Sequence, residues 1–222
     1  MKTDDLIADL ASRATPVRPL PAPGLRALAW LALAIASAAA GVLVFRTRPG
    51  LALLVTSQDF LLTAAFALAT AGLSAVAAFV LAVPGAERSA LVRGLPVAIM
   101  GMWTLTAVMT VLEESHGLTG VSHWYVCAIR VAAIGLVPGI ALVVMLRRAA
   151  PLRLEWTGAL ALAGAAAAGA LAIQFICPIA DGGHALVGHL GPVLVLAAVG
   201  SIAATRLLVP NSRTRRPEHL RT

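Results

Sequence analysis

The sequence predicts an all-α membrane protein of six transmembrane helices with both termini cytoplasmic. Three observations predict it. The chain is 59% hydrophobic with a mean hydropathy of +0.90. Only 12% of its residues are charged, about half the fraction of a soluble domain. The apolar residues are also gathered into long runs, and a helix needs roughly 20 of them to cross a hydrocarbon core about 30 Å thick.

Six runs are long enough: 25–45, 60–83, 91–112, 123–146, 156–177 and 184–209. The connectors are short and punctuated: "RTRPG", "PGAERS", "EESHGLTGVS", "RRAAPLRLE" and "PIADGG". They leave no room for a second soluble domain. The first run starts too late and is too long for a secretory signal, and Asp4 and Asp5 stand where such a signal is basic; it reads as a retained helix. Gly94 and Pro96 fall near the start of the third run. Pro138 and Gly139 mark a kink in the fourth, because proline removes a backbone hydrogen bond. Glycines at 158, 164 and 169 in the fifth run let helices approach closely. The organisation expected is a cytoplasmic peptide and Pro-rich linker over 1–24, a six-helix domain over 25–209 and a basic tail over 210–222.

Orientation follows from Lys and Arg, which are retained on the cytoplasmic side of short loops. Lys2, Arg13, Arg18, Arg26, Arg88, Arg93, Arg147, Arg148, Arg153, Arg206, Arg213, Arg215, Arg216 and Arg221 fall at the end that holds the termini. Only Arg46 and Arg48 fall at the other end, and Arg130 lies within the fourth run. The formal net charge of +7 is therefore mostly a topological signature, and the dispersed basic residues meet anionic headgroups before any nucleic acid.

That topology brings the only two cysteines to one depth. Cys127 lies about a turn inside the fourth run, which enters from outside, and Cys177 ends the fifth, which leaves toward the outside. In a bacterium with two membranes this face is the periplasm, where disulfides persist. His116, His123, His184, His189, Glu113, Glu114 and Asp181 gather at the same end. His123 and Arg130 share a helix face with Cys127, and Arg130 is expected to snorkel toward the thiol and make it more reactive. Trp124 and Tyr125 suit an interfacial aromatic belt.

Three readings of the cysteine pair stand. It is a redox-active or structural disulfide, whose loop of about 50 residues would contribute at most roughly 4 kcal/mol. It is two small apolar residues. Or it belongs to a metal site with histidine, against which stands the lack of C-x-x-C or H-x-x-x-H spacing. No cofactor or metal ligand set is assigned. P-loop, G-x-S-x-G, H-E-x-x-H and dinucleotide motifs are missing from the sequence, and no charge sits mid-membrane to mark an ion path.

The N-terminal segment "MKTDDLIADLASRATPVRPLPAPG" has the form of a tethered recognition peptide. Thr3 is expected to cap a short helix, with Asp4 and Asp5 in its first turn and Arg13 near its end. Leu6, Ile7 and Leu10 fall on one face. About ten residues are marginal as an isolated helix, which suits folding on a partner, and anionic lipids repel the acidic start. The prolines from 16 to 23 make a stiff tether.

"MKTDDLI", "RPG" after the first run, "PGAER" after the second, "LRRAAP" closing the fourth run that Cys127 opens, and "CP" followed by His in the next outer loop together resemble the NrsF-type membrane anti-sigma factors. Ile179 departs from the family, which often carries an acidic residue there; Asp181 is the nearest carboxylate. The resemblance spans nearly the whole chain. It implies a multi-pass protein of the bacterial inner membrane, not an enzyme. Its N-terminal peptide (Thr3, Asp4, Asp5, Leu6, Ile7 and Leu10) would hold an extracytoplasmic-function (ECF) sigma factor, and Cys127 and Cys177 would sense oxidative or metal stress. His123, Arg130, Asp181 and His184 would be supporting polar residues. The partners implied are a sigma factor and the bilayer, with no direct nucleic-acid contact. The competing class is a membrane thiol-disulfide oxidoreductase, which would normally use two cysteine pairs where this chain has one.

Overall fold

In the computed structural model, residues 2–14, 19–114, 123–179 and 181–209 are described. His116 and the basic tail over 210–222 lie outside them. The described residues form helices without a strand: α1 Thr3–Ser12, α2 Pro23–Phe45, α3 Leu51–Leu54, α4 Gln58–Leu81, a 3₁₀ turn Ala86–Arg88, α5 Ala90–Glu113, α6 Trp124–Arg147, α7 Leu154–Ile176, α8 Gly182–Ala185, a π-helical turn Leu186–Leu190, α9 Gly191–Ile202 and α10 Ala204–Leu208. Six helical stretches are long and apolar enough to cross a membrane, the sixth being the composite Gly182–Ile202. The protein is a multi-pass membrane protein.

Local chemistry sets the starts of these helices. Pro23 opens α2 at a position where a missing N–H leaves nothing unpaired. Ser57 Oγ accepts from Phe60 N at the start of α4, and Ser89 Oγ from Val92 N at the start of α5, each at 3.3 Å. Two expected boundaries differ. Thr3 lies inside α1, with Lys2 ahead of it; the Lys2 N–H donates to the Asp5 carboxylate at 3.3 Å, so a side chain from the third helical position closes this end. Cys177 falls one residue past α7 in extended backbone (φ −74°, ψ 122°), because the ring of Pro178 disfavours helical geometry in the residue before it.

The bundle is built around α7. Sixteen of its 23 residues are buried, and the small side chains of "GALALAGAAAAGALA" are the reason. A Cβ at Gly158 would lie 2.2 Å from Gly200 O on α9, one at Gly169 2.2 Å from Val131 O on α6, and one at Gly164 3.2 Å from Ala71 O on α4. Lipid tails are as apolar as side chains, so dispersion across such close backbones replaces hydrophobic collapse as the attraction between helices. By contrast α2 and α5 expose most of their surface.

Helix α2 is tied to α6 by polar bonds. Pro138 has no N–H for the carbonyl of Ile134, four residues earlier, and Ser37 Oγ donates to that oxygen at 2.7 Å. Trp30 Nε1 donates to Pro138 O at 2.8 Å, and the buried Arg26 to Met145 O at 2.5 Å while lying over the Phe79 ring. The fourth span is thus bonded along its length to the helix that follows α1. Six alternating spans put the start of α2 and the end of α10 at one end of the bundle, and the start of α6 and the end of α7 at the other.

Candidate functional site

At the end remote from α1, four side chains converge. Cys127, on the first turn of α6, and Cys177, just beyond α7, are both buried and unbridged. Their sulfurs are 3.4 Å apart, the Cys127 thiol donating. Cys177 Sγ is also 3.4 Å from His184 Nε2. His189 completes the group: its ring centroid is 5.4 Å from that of His184 with the planes at 90°. One ligand atom from each of the four lies within 4.8 Å of every other.

The backbone makes this convergence. Asp181 caps α8, its Oδ1 accepting from His184 N at 2.8 Å. His184 and His189 are five apart, which on an α-helix leaves them about 140° around the axis from one another. The intervening π-helical turn, in which Gly191 N–H bonds five residues back to Leu186 O, makes five residues close to one turn and turns both rings to one side. Gly188 sits inside that turn. A Cβ there would meet Trp124 O at 3.2 Å, so glycine is what admits α6 with Cys127 so close.

Two further residues hold the loops around Cys177. Glu114, at the end of α5, accepts from Gly182 N with both carboxylate oxygens, at 3.1 and 3.0 Å. Arg48 donates its backbone N–H to Phe175 O at 2.9 Å and its guanidinium to Pro178 O at 3.2 Å. Cys177 is thereby fixed from both sides in sequence. Its thiol is held below the ordinary range, chiefly by the hydrogen bond it receives from Cys127; the nearby His189 acts in the same direction and burial opposes them. Of the two sulfurs, Cys177 is the one poised to react as thiolate.

The expected site residues separate accordingly. Cys127, Cys177 and His184 come together, and Asp181 serves them as a cap. His123 stands outside: it precedes α6 in left-handed backbone (φ 61°), is exposed, and its ring is 6.4 Å from that of Tyr125. Arg130, one turn from Cys127 on α6, lays its guanidinium 4.9 Å over the Phe45 ring at the end of α2, where a cation finds a π face. His189, Glu114 and Arg48 carry no role in the sequence reading. The signal for His189 was the H-x₄-H spacing, which falls within the range metal-binding histidines use but looks wrong if an unbroken α-helix is assumed.

At the opposite end, α1 carries Leu6, Ile7 and Leu10 exposed at 40%, 59% and 60%, and none of its residues is buried. Asp9 and Arg13 pair across one turn at 2.9 Å, both exposed.

Chemically, the converged group suits reversible sulfur chemistry and binding of a thiophilic cation; both need thiols brought close in a partly ionised state. No curated protein and no solved structure matches the chain. A family model described as NrsF, negative regulator of sigma F, matches residues 10–209, which include all six spans and the Cys/His cluster but only the last turn of α1. The chain therefore belongs to the NrsF family of negative regulators of sigma factor.

Proposed function

We propose that the protein is an anti-sigma factor of the bacterial inner membrane, with both termini cytoplasmic, that sequesters an ECF-type sigma factor through α1 and releases it when the remote thiol pair is oxidised. The observation that carries this reading is α1 itself. It is an amphipathic helix with an acidic first turn and an apolar face left exposed, tethered to a span that is hydrogen-bonded along α6. A partner that buries Leu6, Ile7 and Leu10 supplies the packing a ten-residue helix lacks. Sigma factors bind DNA and carry basic surfaces, so Asp4 and Asp5 compete for them electrostatically. The division into a sigma-binding peptide with linker (1–24), membrane domain (25–209) and basic tail (210–222) goes with this reading.

The orientation rests on the charge asymmetry, with fourteen Lys and Arg at the end bearing the termini against two at the other. In the periplasm the switch is thiol–disulfide exchange: the Cys127–Cys177 bond forms, the S–S bond of an oxidant such as a small-molecule disulfide breaks, and the two electrons and two protons leave with it as two thiols. A separation of 3.4 Å needs little more than 1 Å of closure to reach a bond of about 2.05 Å. The oxidoreductase reading lacks a second cysteine pair, since the chain has two cysteines in all.

Two experiments test this. Reporters active only in the cytoplasm should work when fused after Pro151 or Thr222 and fail after Gly120; the reverse would invert the orientation. In full-length protein, reversing Asp4 and Asp5 to lysine, or Leu6→Ala, should weaken sigma binding by about 10-fold or more and raise transcription from its promoters, within the range of interface residues worth 1–2 kcal/mol. Unchanged binding and transcription after removal of residues 2–14 would refute the role of α1.

A further inference from the structure

We infer that Cys127, Cys177, His184 and His189 form a four-coordinate site for one thiophilic divalent cation of the Zn²⁺ or Cd²⁺ type. The inference deepens the sensing role proposed for the cysteines and rests on that reading only for its consequence in signalling.

The shape of the cluster fits such a cation. With metal–sulfur bonds of about 2.3 Å and metal–nitrogen bonds of about 2.0 Å, the edges of a tetrahedron of ligand atoms run from about 3.3 to 3.8 Å. The sulfur–sulfur and sulfur–Nε2 edges here are both 3.4 Å, and every remaining ligand-atom pair lies within 4.8 Å. Small side-chain rotations close such a shell around a cation.

The two histidines also have unmet valence. His184 and His189 are 0% and 4% exposed, yet His184 Nδ1 and both ring nitrogens of His189 have no hydrogen-bond partner. A buried imidazole without a partner is costly. Nothing about apolar packing asks for it, and metal coordination would give one of the two bare His189 nitrogens its partner. The π-helical turn, itself less favourable than a continuous α-helix, has as its effect the delivery of His189 to the two sulfurs.

The charges balance as well. Two thiolates and two neutral imidazoles around a divalent cation make a neutral centre, which a buried site tolerates where a net charge would be expensive. Loading then releases whatever protons the two sulfurs still carry, that of Cys127 above all. Two sulfurs with two nitrogens select borderline and soft cations over Mg²⁺ or Ca²⁺, which take oxygen ligands. No position is left open for water, so the site is a sensor or clamp rather than a hydrolytic centre. Oxidation and metal binding exclude one another, because a disulfide offers no thiolate.

The test uses full-length protein, reduced and purified in detergent, titrated with Zn²⁺, Cd²⁺ and, as a spectroscopic probe, Co²⁺. One cation per chain is expected, with the thiolate-to-Co²⁺ charge-transfer and d–d bands of tetrahedral coordination. His189→Ala should weaken binding by more than about 100-fold while the helical circular dichroism and the thermal midpoint of the metal-free protein stay unchanged. His123→Ala should bind like the parent, and the disulfide form should not bind. Absence of stoichiometric binding, or binding that survives His189→Ala undiminished, would overturn the site. No sigma factor enters the readout, so failure here is distinguishable from failure of the anti-sigma reading.

Discussion

Gly169→Leu is expected to leave little folded protein. The Cβ alone would stand 2.2 Å from Val131 O and 3.0 Å from Val131 C, and both atoms are backbone of α6, so no rotamer change relieves the clash. Overpacking a core commonly costs 1–3 kcal/mol, and a clash between two helix backbones lies at or above the top of that range, about 3 kcal/mol or more. Gly158→Leu should behave alike, because Gly158 and Gly200 face each other's carbonyls at 2.2 Å. Gly72→Ala and Gly101→Ala are the controls, since a Cβ at either meets nothing within 4 Å and alanine is the better helix former. Thermal stability and monodispersity in detergent decide the matter. If Gly169→Leu melts like the parent, α7 is not the packing axis of the bundle.

Cys127→Ser, Cys177→Ser and the double variant are expected to share one phenotype: a sigma factor held in check that thiol oxidants no longer release. Each variant removes the same prospective bond, so the double variant should add nothing to either single one. Where the parent responds 5- to 150-fold, corresponding to the usual coupling of 1–3 kcal/mol, the variants should respond about 1-fold. The signal must travel the thickness of the bilayer. We place its passage in α6, which carries Cys127 at one end and is bonded to α2 through Ile134 O, Pro138 O and Met145 O. Pro138 is where α6 can bend. Ser37→Ala would leave the Ile134 carbonyl without a partner and should reduce the response without changing basal inhibition to the same extent. Promoter activity with and without oxidant measures both.

The spans were legible because hydrocarbon imposes one length and one composition on every crossing helix. The meeting of Cys127 and Cys177 was legible for a related reason: consecutive antiparallel helices must return to the same depth. What surrounds them was not. His189 was hidden because helical periodicity assumes 3.6 residues per turn, and the π-helical turn at Leu186–Leu190 breaks that period. The contact of Arg130 with Phe45 was not legible, because snorkelling considers only the helix that carries the side chain and the ring belongs to α2. Glu114 and Arg48 reach Gly182 and Pro178 across 68 and 130 residues of sequence, and no local pattern encodes such pairs. At the N-terminus the spacing of Leu6, Ile7 and Leu10 shows the amphipathic face, but not the cap, since the bond from Lys2 N–H to Asp5 puts an unfavoured residue at that position.

The central claim is that the redox state of Cys127 and Cys177 controls what α1 holds. It is tested most directly by measuring sigma-factor affinity for the full-length protein in lipid nanodiscs, first reduced, then oxidised with diamide, then reduced again. The account predicts tight binding by the dithiol form, binding weaker by 5- to 150-fold once the Cys127–Cys177 disulfide has formed, and recovery on reduction. Equal affinity of the reduced and oxidised forms, or undiminished binding to protein lacking residues 2–14, would contradict it.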